Sequence, residues 1–547
     1  MSNGLLPNPD RVDVGLPPIA GASSAAASGA VGAAAALAAG QLLAVVLDVA
    51  PSPLLAVGGE FVDRFAAQLK ELAVSLFGTN DKAALVLGTI VVSILLGALA
   101  GVGARRRRWV TVVVFGAFAA VGALAQISDP RPVGPVAWLI AAVSATAGVA
   151  VTWFLLGRAT ALAGAQAHAE ASTAQPSSFS EAPAGTGAGA VALARRRLLG
   201  GLGGLAALSV AGAAIGRSVR RSDVAAQAAR KVRLPVPRRR RSLPADQPFT
   251  VPGATPYVTS NDAFYRIDTA LSAPQVDIDS WRLRIDGMVD DPLELTYSDL
   301  LALPSVEEPV TLQCVSNEVG GDLVGNAVWQ GVLLTDLLEQ AGVRDGAEQV
   351  FSRSVDGWTC GFPTSALGDG RVALVAYAMN GAPLPVPHGF PARLVVSGLY
   401  GYVSATKWLE QIELTTWEGN DGYWVPRGWA KEGPIKVASR IDVPRAGQAV
   451  SGPAVSLGGV AWLPATGVAA VEVSVDQGPW MRAELGLVAS DDTWVTWRLA
   501  VELAPGDHSA RVRAIGRDGR TQTARRAEPA PDGATGLHEV DFEVQRS

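Results

Sequence analysis

The 547-residue chain reads as an N-terminal helical transmembrane domain, a mixed α+β domain and a C-terminal β-sandwich. Three observations predict this order. Residues 1–241 hold 23 Lys+Arg and 11 Asp+Glu, whereas residues 242–547 hold 22 and 39, so nets of +12 and −17 make up the −5 of the whole chain. Apolar runs of bilayer-spanning length occur only before residue 217. Beyond residue 256 the apolar runs shorten to strand length, and turn signals separate them.

Residues 1–20 form a polar, Pro-rich tail ahead of the first apolar run. The runs lie near 25–47, 83–103, 109–127, 134–157 and 198–216, which predicts about five helices in a membrane domain of residues 1–216. Between the first two, Phe61–Phe77 sets Phe61, Phe65, Leu69 and Leu72 against Glu60, Arg64, Lys70 and Glu71, the pattern of an amphipathic helix. Arg105–Arg108 mark a cytoplasmic loop, because Lys and Arg collect on that side. Counting from it, the N-terminus and the loop 158–197 are cytoplasmic, and everything after the fifth run is extracytoplasmic. Arg217–Arg221, Arg230–Arg233 and Arg238–Arg241 oppose that count. Arg195-Arg196-Arg197 before a weakly apolar Gly/Ala run resembles a twin-arginine export signal, which would carry a folded domain outward; an ordinary basic flank is the alternative. Residues 217–255 read as a basic Pro/Arg-rich linker, lying on anionic headgroups or solvated as a tether.

In residues 256–435 short strands at Trp281–Ile285, Val310–Leu312 and Arg393–Val396 alternate with helical patches at Ser298–Leu303 and Leu333–Ala341, an α+β pattern. In residues 436–547 strand-like runs at Val471–Val475, Trp494–Leu499 and Ser509–Ala514 are spaced by turns such as Arg517-Asp518-Gly519. The acidity of this half argues against nucleic acid as a partner. The two cysteines, Cys314 and Cys360, exclude a disulfide framework and any multi-cysteine zinc site. The four histidines, His168, His388, His508 and His538, lie outside the apolar runs, so no haem is held by two histidines at membrane depth. His508 and His538 read as surface residues.

Cys314 is the residue with the most chemistry in its setting. An apolar strand delivers its thiol to a loop ahead of Gly320-Gly321-Asp322, a position suited to a soft metal ligand. The stretch Val310–Asn317 resembles the metal-ligand loop of the sulfite oxidase family of molybdopterin oxidoreductases, in which Asn follows the cysteine by three residues. Pro387-His388-Gly389-Phe390-Pro391-Ala392-Arg393, followed by Gly401 and Lys407-Trp408-Leu409, resembles the cofactor-binding core of that family.

The resemblance covers nearly all of 257–544. It implies an α+β molybdopterin-binding domain, an immunoglobulin-like C-terminal sandwich of the dimerisation type, hence a homodimer, and molybdenum with one pyranopterin as cofactor. Cys314 would give its thiolate to molybdenum. His388, Arg393, Lys407, Asn317 and the segment Phe264-Tyr265-Arg266 would contact the cofactor; a guanidinium suits a phosphate tail because it donates in pairs. Arg266 meets cofactor or substrate, or it pairs with Asp262 or Asp268. Tyr423 is the candidate active-site tyrosine, with packing in the aromatic stretch Trp417–Trp429 as the alternative. Sulfite-oxidising members carry Arg directly after the Asn of the cysteine loop, and here that position is Glu318. A carboxylate there opposes an anionic substrate, so a neutral S-oxide or N-oxide competes with sulfite.

The resulting expectation is a membrane-anchored molybdenum oxidoreductase that transfers an oxygen atom to or from a small sulfur or nitrogen oxo-compound. No Cys-x-x-Cys-His haem site, flavin fingerprint or iron–sulfur set exists, so a separate cytochrome or quinone-linked protein would carry the electrons. The alternative is a non-catalytic adhesion or assembly module with a vestigial cofactor loop. A transporter is poorly supported, since the apolar runs lack paired charges apart from Asp48 near an end.

Overall fold

The computed structural model describes residues 19–47, 51–61, 81–128, 134–174, 189–204, 224–244 and 251–546. Most of the N-terminal tail, the Phe61–Phe77 segment beyond Phe61, Asp48, the end of the fifth apolar run and Arg217–Arg221 lie outside these residues. The chain divides into two units, Met1–Ser222 and Asp223–Ser547.

In the first unit four helices are long and apolar enough to cross a membrane: Ala22–Val46, Ala84–Ala104, Trp109–Ser128 and Val136–Glu170. Small residues let the first two pack backbone to backbone. A Cβ on Gly29 would overlap the main chain of Gly97 and Gly101, so this crossing admits no larger side chain. Leu87, Val91, Leu95, Leu99, Val113 and Leu139 are exposed, the arrangement of a bundle whose outer surface is apolar. Arg105–Arg108 form the turn between two of the helices.

One sequence-based boundary shifts in the first unit. The last of the four helices runs Val136–Ala174, well past the apolar run, because its polar continuation is rich in alanine and lacks proline. Much of the expected loop 158–197 is therefore helical. His168 is an exposed residue of that extension, its Nδ1 2.8 Å from the carbonyl oxygen of Gly164. Arg195–Arg197 lie in a further helix at 189–204, and Arg158 donates to the Arg197 carbonyl at 2.8 Å.

The second unit is built on two sheets followed by a β-rich C-terminal region. The first sheet runs, in spatial order, Arg239–Arg240, Val306–Gln313, Val324–Leu333, Ala373–Met379 and Arg393–Val396. Its strand Val306–Gln313 is buried at seven of eight positions, so it lies inside the layers and ends directly at Cys314. The second sheet runs Leu293–Thr296, Arg282–Gly287, Leu409–Thr415, Gln349–Ser354 and Thr359–Pro363. The expected short helix spans Tyr297–Ala302, and Thr296 and Asp299 cap it reciprocally. The helix Leu334–Ala341 stops at Gly342, whose φ of +67° suits glycine.

Two further sheets form the C-terminal region. One runs Ala438–Val443, Ala454–Trp462, Val495–Glu502 and Glu484–Leu485; the other runs Ala449–Ser451, His538–Gln545, Gly506–Gly516, Val468–Val475 and Met481–Arg482. Ile441, Leu457 and Trp497 from the first meet Val473, Val512 and Phe542 from the second in one core. Val460, Trp462 and Trp494 instead join the large core of the preceding α+β part, so the two parts share buried surface.

The segment expected as a linker is partly built into this unit. Residues Arg239–Arg240 pair in parallel with Val306–Glu307, on the edge of the sheet that carries Cys314. Arg238 reaches Asp336, Arg240 reaches Glu307, and Arg239 and Arg241 both reach Glu308, which is 0% exposed. These arginines pair with acids of the fold while their side chains stay 42–66% exposed.

Candidate active site

Cys314 is the first residue beyond the strand Val306–Gln313, and it is 8% exposed. Its amide donates to the Leu323 carbonyl at 2.9 Å, and its own carbonyl accepts from the Asn317 amide at 3.1 Å. The Asn317 side-chain oxygen accepts from the Leu323 amide at 2.8 Å, closing the loop from within. Gly320 takes φ of +80°, and a Cβ there would overlap the His538 imidazole, so both conformation and space require glycine. Cys314 and Cys360 are both buried and are not joined in a disulfide. Burial pushes the Cys360 thiol up to about 11, which makes it an inert core residue beside Ser352 and Thr406.

The segment Phe264–Arg266 crosses this region. The Phe264 ring stacks on Tyr265 at 5.1 Å and meets Trp329 and His388 edge-on at 5.6 and 5.8 Å. Burial raises the Tyr265 phenol, the Cys314 side chain adds to that rise, and Arg393 opposes it. Tyr265 thus lies within electrostatic reach of both the cysteine loop and the Arg393 strand.

His388 donates from Nε2 to the Asn261 carbonyl at 2.9 Å, which leaves Nδ1 as the acceptor nitrogen. Burial, and then the neighbouring Arg393, push His388 down to about 4. It therefore offers hydrogen bonds rather than a positive charge. Arg393 is 5% exposed, and burial pushes it down to about 10. Its donors reach the carbonyls of Leu394 at 3.3 Å and His388 at 3.1 Å, and it lies 5.0 Å from the Trp329 ring centre. Among the described residues no carboxylate is in ion-pair range of it.

Lys407 sits 2.9 Å from Asp268, and burial pushes it down to about 8 against the opposing pull of that carboxylate. Arg266 pairs with the same Asp268 at 3.0 Å, so of its two readings the ion pair is the one observed. Tyr423 donates its amide to Thr359, and its ring lies under Arg427 at 3.7 Å and edge-on to Trp424. Lys431 pairs with Asp421 at 2.8 Å.

A cavity of about 340 Å³ opens beside the cysteine loop, lined among others by Asn317, Glu318, Val319, Lys436, Trp462 and Arg520. Glu318 is exposed. His538 is half-buried rather than a surface residue, and burial lowers its pKa. Sequence reading missed Asn261, Trp329, Arg440 and His538, which reach the site only through distant pairing.

Among the described residues no cluster of three or more His, Cys, Asp or Glu gathers. A metal here would take one thiolate from the protein, and its other ligands from a cofactor. A buried guanidinium with only carbonyl partners beside a buried lysine fits the phosphate tail of such a cofactor.

A family model described as an oxidoreductase molybdopterin binding domain matches residues 270–424. The chain is 39% identical over 159 residues to the uncharacterized oxidoreductase YuiH of Bacillus subtilis (strain 168), covering 29% of this chain and 76% of that protein. It is 31% identical over 272 residues to mitochondrial sulfite oxidase of Rattus norvegicus, covering 42% of this chain and 49% of that one, about half its length. Among solved structures, the sulfane dehydrogenase SoxCD from Paracoccus pantotrophus aligns over 56% of this chain and 91% of that chain, with 20% identity and a TM-score of 0.46.

Proposed function

The chain belongs to the sulfite oxidase-like family of molybdopterin-dependent oxidoreductases, and on that premise we propose that it is a membrane-anchored enzyme of oxygen-atom transfer on a small sulfur or nitrogen oxo-compound. Its cofactor is molybdenum with a pyranopterin, which when bound supplies two-electron redox chemistry at the metal.

The protein's own part is to hold, orient and shield. Cys314 offers the thiolate at the end of a buried strand, and Asn317 keeps its loop closed. Arg393 and Lys407 take the anionic tail. His388, neutral and fixed by Asn261, gives an oriented hydrogen-bond partner to the pterin. Phe264 and Tyr265 wall the site, and Arg266 stands at its edge on Asp268. Tyr423 presents a phenol to substrate oxygen.

One observation supports this reading: Arg393 is a buried cation whose hydrogen-bond partners among the described residues are backbone carbonyls. An uncompensated buried charge costs several kcal/mol, on the order of 3–5, and an anionic ligand at that place removes the cost.

The acidic second unit works outside the cytoplasmic membrane, and the four apolar helices hold it there. Electrons pass to or from a separate cytochrome or quinone-linked protein. The two-sheet C-terminal region is immunoglobulin-like and pairs two copies of the chain. The test is molybdenum and pterin per mole of purified full chain, with turnover measured on sulfite and on several S- and N-oxides. Protease shaving of intact cells checks the orientation. Protein from molybdenum-replete cells that carries neither metal nor pterin would sink the proposal.

A further inference from the structure

We infer that Arg440, a residue of the C-terminal two-sheet region, is a positioning residue for the Cys314 loop; this rests on reading that loop as the one that offers the metal its thiolate. Arg440 is 9% exposed and donates on three sides. Its Nη1 reaches the Gly321 carbonyl at 2.7 Å, its Nη2 reaches Thr255 Oγ1 at 2.9 Å, and its Nε reaches Asp442 Oδ1 at 2.6 Å. The other oxygen of Asp442 accepts from the Thr255 amide at 3.1 Å, so the carboxylate and the hydroxyl fix the plane of the guanidinium. Thus held, the guanidinium aims Nη1 at the loop. A planar, multiply held guanidinium fixes a carbonyl in a way that a flexible ammonium cannot.

The same region holds the loop at two more points. His538 packs against Gly320, the neighbour of Gly321, and its Nδ1 accepts from the Ile441 amide at 3.0 Å, which orients the ring. On the other arm, Gln313 accepts from Trp462 Nε1 at 2.8 Å, one residue before Cys314. Both arms of the loop are thus set from outside the α+β part. Asn317 closes the loop from within, and Arg440 fixes where the closed loop stands. A ligand-bearing loop needs such support, because displacing a ligand by a fraction of an ångström changes the metal site.

The experiment uses full-chain protein, cofactor-free and loaded, as wild type, Arg440→Ala, Arg440→Lys and Arg513→Ala. Arg513 pairs with Glu472 in the same region and serves as the control. Amide hydrogen exchange across Cys314–Leu323 and the alkylation rate of Cys314 are read in the cofactor-free protein. The thiolate-to-metal absorption band is read in the loaded one. Arg440→Ala should speed exchange and alkylation about tenfold or more, since a charge-assisted bond is lost. Arg440→Lys should fall between, Arg513→Ala should match wild type, and the band should shift only in the Arg440 variants. Unchanged exchange in a folded Arg440→Ala protein overturns the inference, as does equal acceleration in Arg513→Ala. If Arg440→Ala does not fold, wild-type exchange in Arg440→Lys overturns it. A wild-type chain without molybdenum would defeat the metal-ligand reading while leaving the exchange result standing.

Discussion

The ammonium of Lys407 lies 2.9 Å from the carboxylate of Asp268, in a place where burial brings the lysine down to about 8. Its charge is therefore lost as pH rises through about 8. Because its folded pKa is depressed, folded protein disfavours the ammonium, and this group adds stability as pH rises from about 8 towards the ordinary lysine value of 10.5. Cofactor retention should run the other way. Above pH 8 the anionic tail loses a charged partner, and retention should fall about tenfold or more by pH 9.5. Pterin release against pH, measured beside thermal stability, checks the opposed directions; Lys407→Gln should show neither trend.

Cys314→Ser should abolish molybdenum redox turnover and spare the fold. Serine fits the space, and hydrogen bonds of Asn317, Leu323 and Arg440 hold the loop. A hydroxyl is a harder and poorer donor to this metal. The melting temperature should move by only a few degrees. Full turnover in the serine variant would remove the residue from its role.

His388 gives an acid-side prediction for cofactor-free protein. Its folded pKa is depressed to about 4, so its contribution is present above the unfolded value of about 6.5 and is lost as pH falls through that window. The loss should be on the order of 2–3 kcal/mol. Denaturant titrations at pH 7 and 4.5 should show a smaller difference for His388→Gln than for wild type. His538 shifts in the same direction and remains in both proteins.

Glu308 sets up a test by asymmetry. It is fully buried, whereas Arg239 and Arg241 are half exposed, at 57% and 42%. Removing both arginines leaves a buried unpaired carboxylate, a loss of about 3–5 kcal/mol. Glu308→Gln leaves two arginines that water can solvate, so it should cost much less. Thermal unfolding of the two variants checks the order, and the reverse order would deny the strap its charge-compensating role.

What the sequence revealed follows the range of the forces involved. Local signals were legible: the Thr296 and Asp299 caps around a short helix, the strand running into Cys314, and the cluster from His388 to Lys407. Arg238–Arg241 misled, because four adjacent charges look solvated until their acids are known, and Glu307, Glu308 and Asp336 lie far along the chain. His388 was singled out by its motif, but its neutrality follows from burial, which the sequence does not display. Arg440 was invisible for the same reason: its loop partner stands 119 residues away. The length of Val136–Ala174 was missed because hydropathy stops where helix propensity continues.

The last prediction concerns substrate charge. Of the cations near the aromatic stretch Trp417–Trp429, Arg427 lies over Tyr423 and Lys431 pairs with Asp421. The cations that share a cavity with Glu318 are Lys436 and Arg520, and they already pair with Asp532 and Asp518. A dianion entering beside Glu318 therefore meets an uncompensated carboxylate, while a neutral oxide needs only hydrogen-bond donors. Glu318 is exposed, so screening reduces the effect to a factor of about three to ten in apparent affinity. Glu318→Arg should raise sulfite turnover relative to S-oxide turnover, most strongly at low ionic strength. Steady-state kinetics on both substrates, at two salt concentrations, decide it. A wild-type enzyme that already oxidises sulfite with a KM near 1 μM, the lower end of the usual range of about 1 μM to 1 mM, would show that Glu318 does not face the substrate.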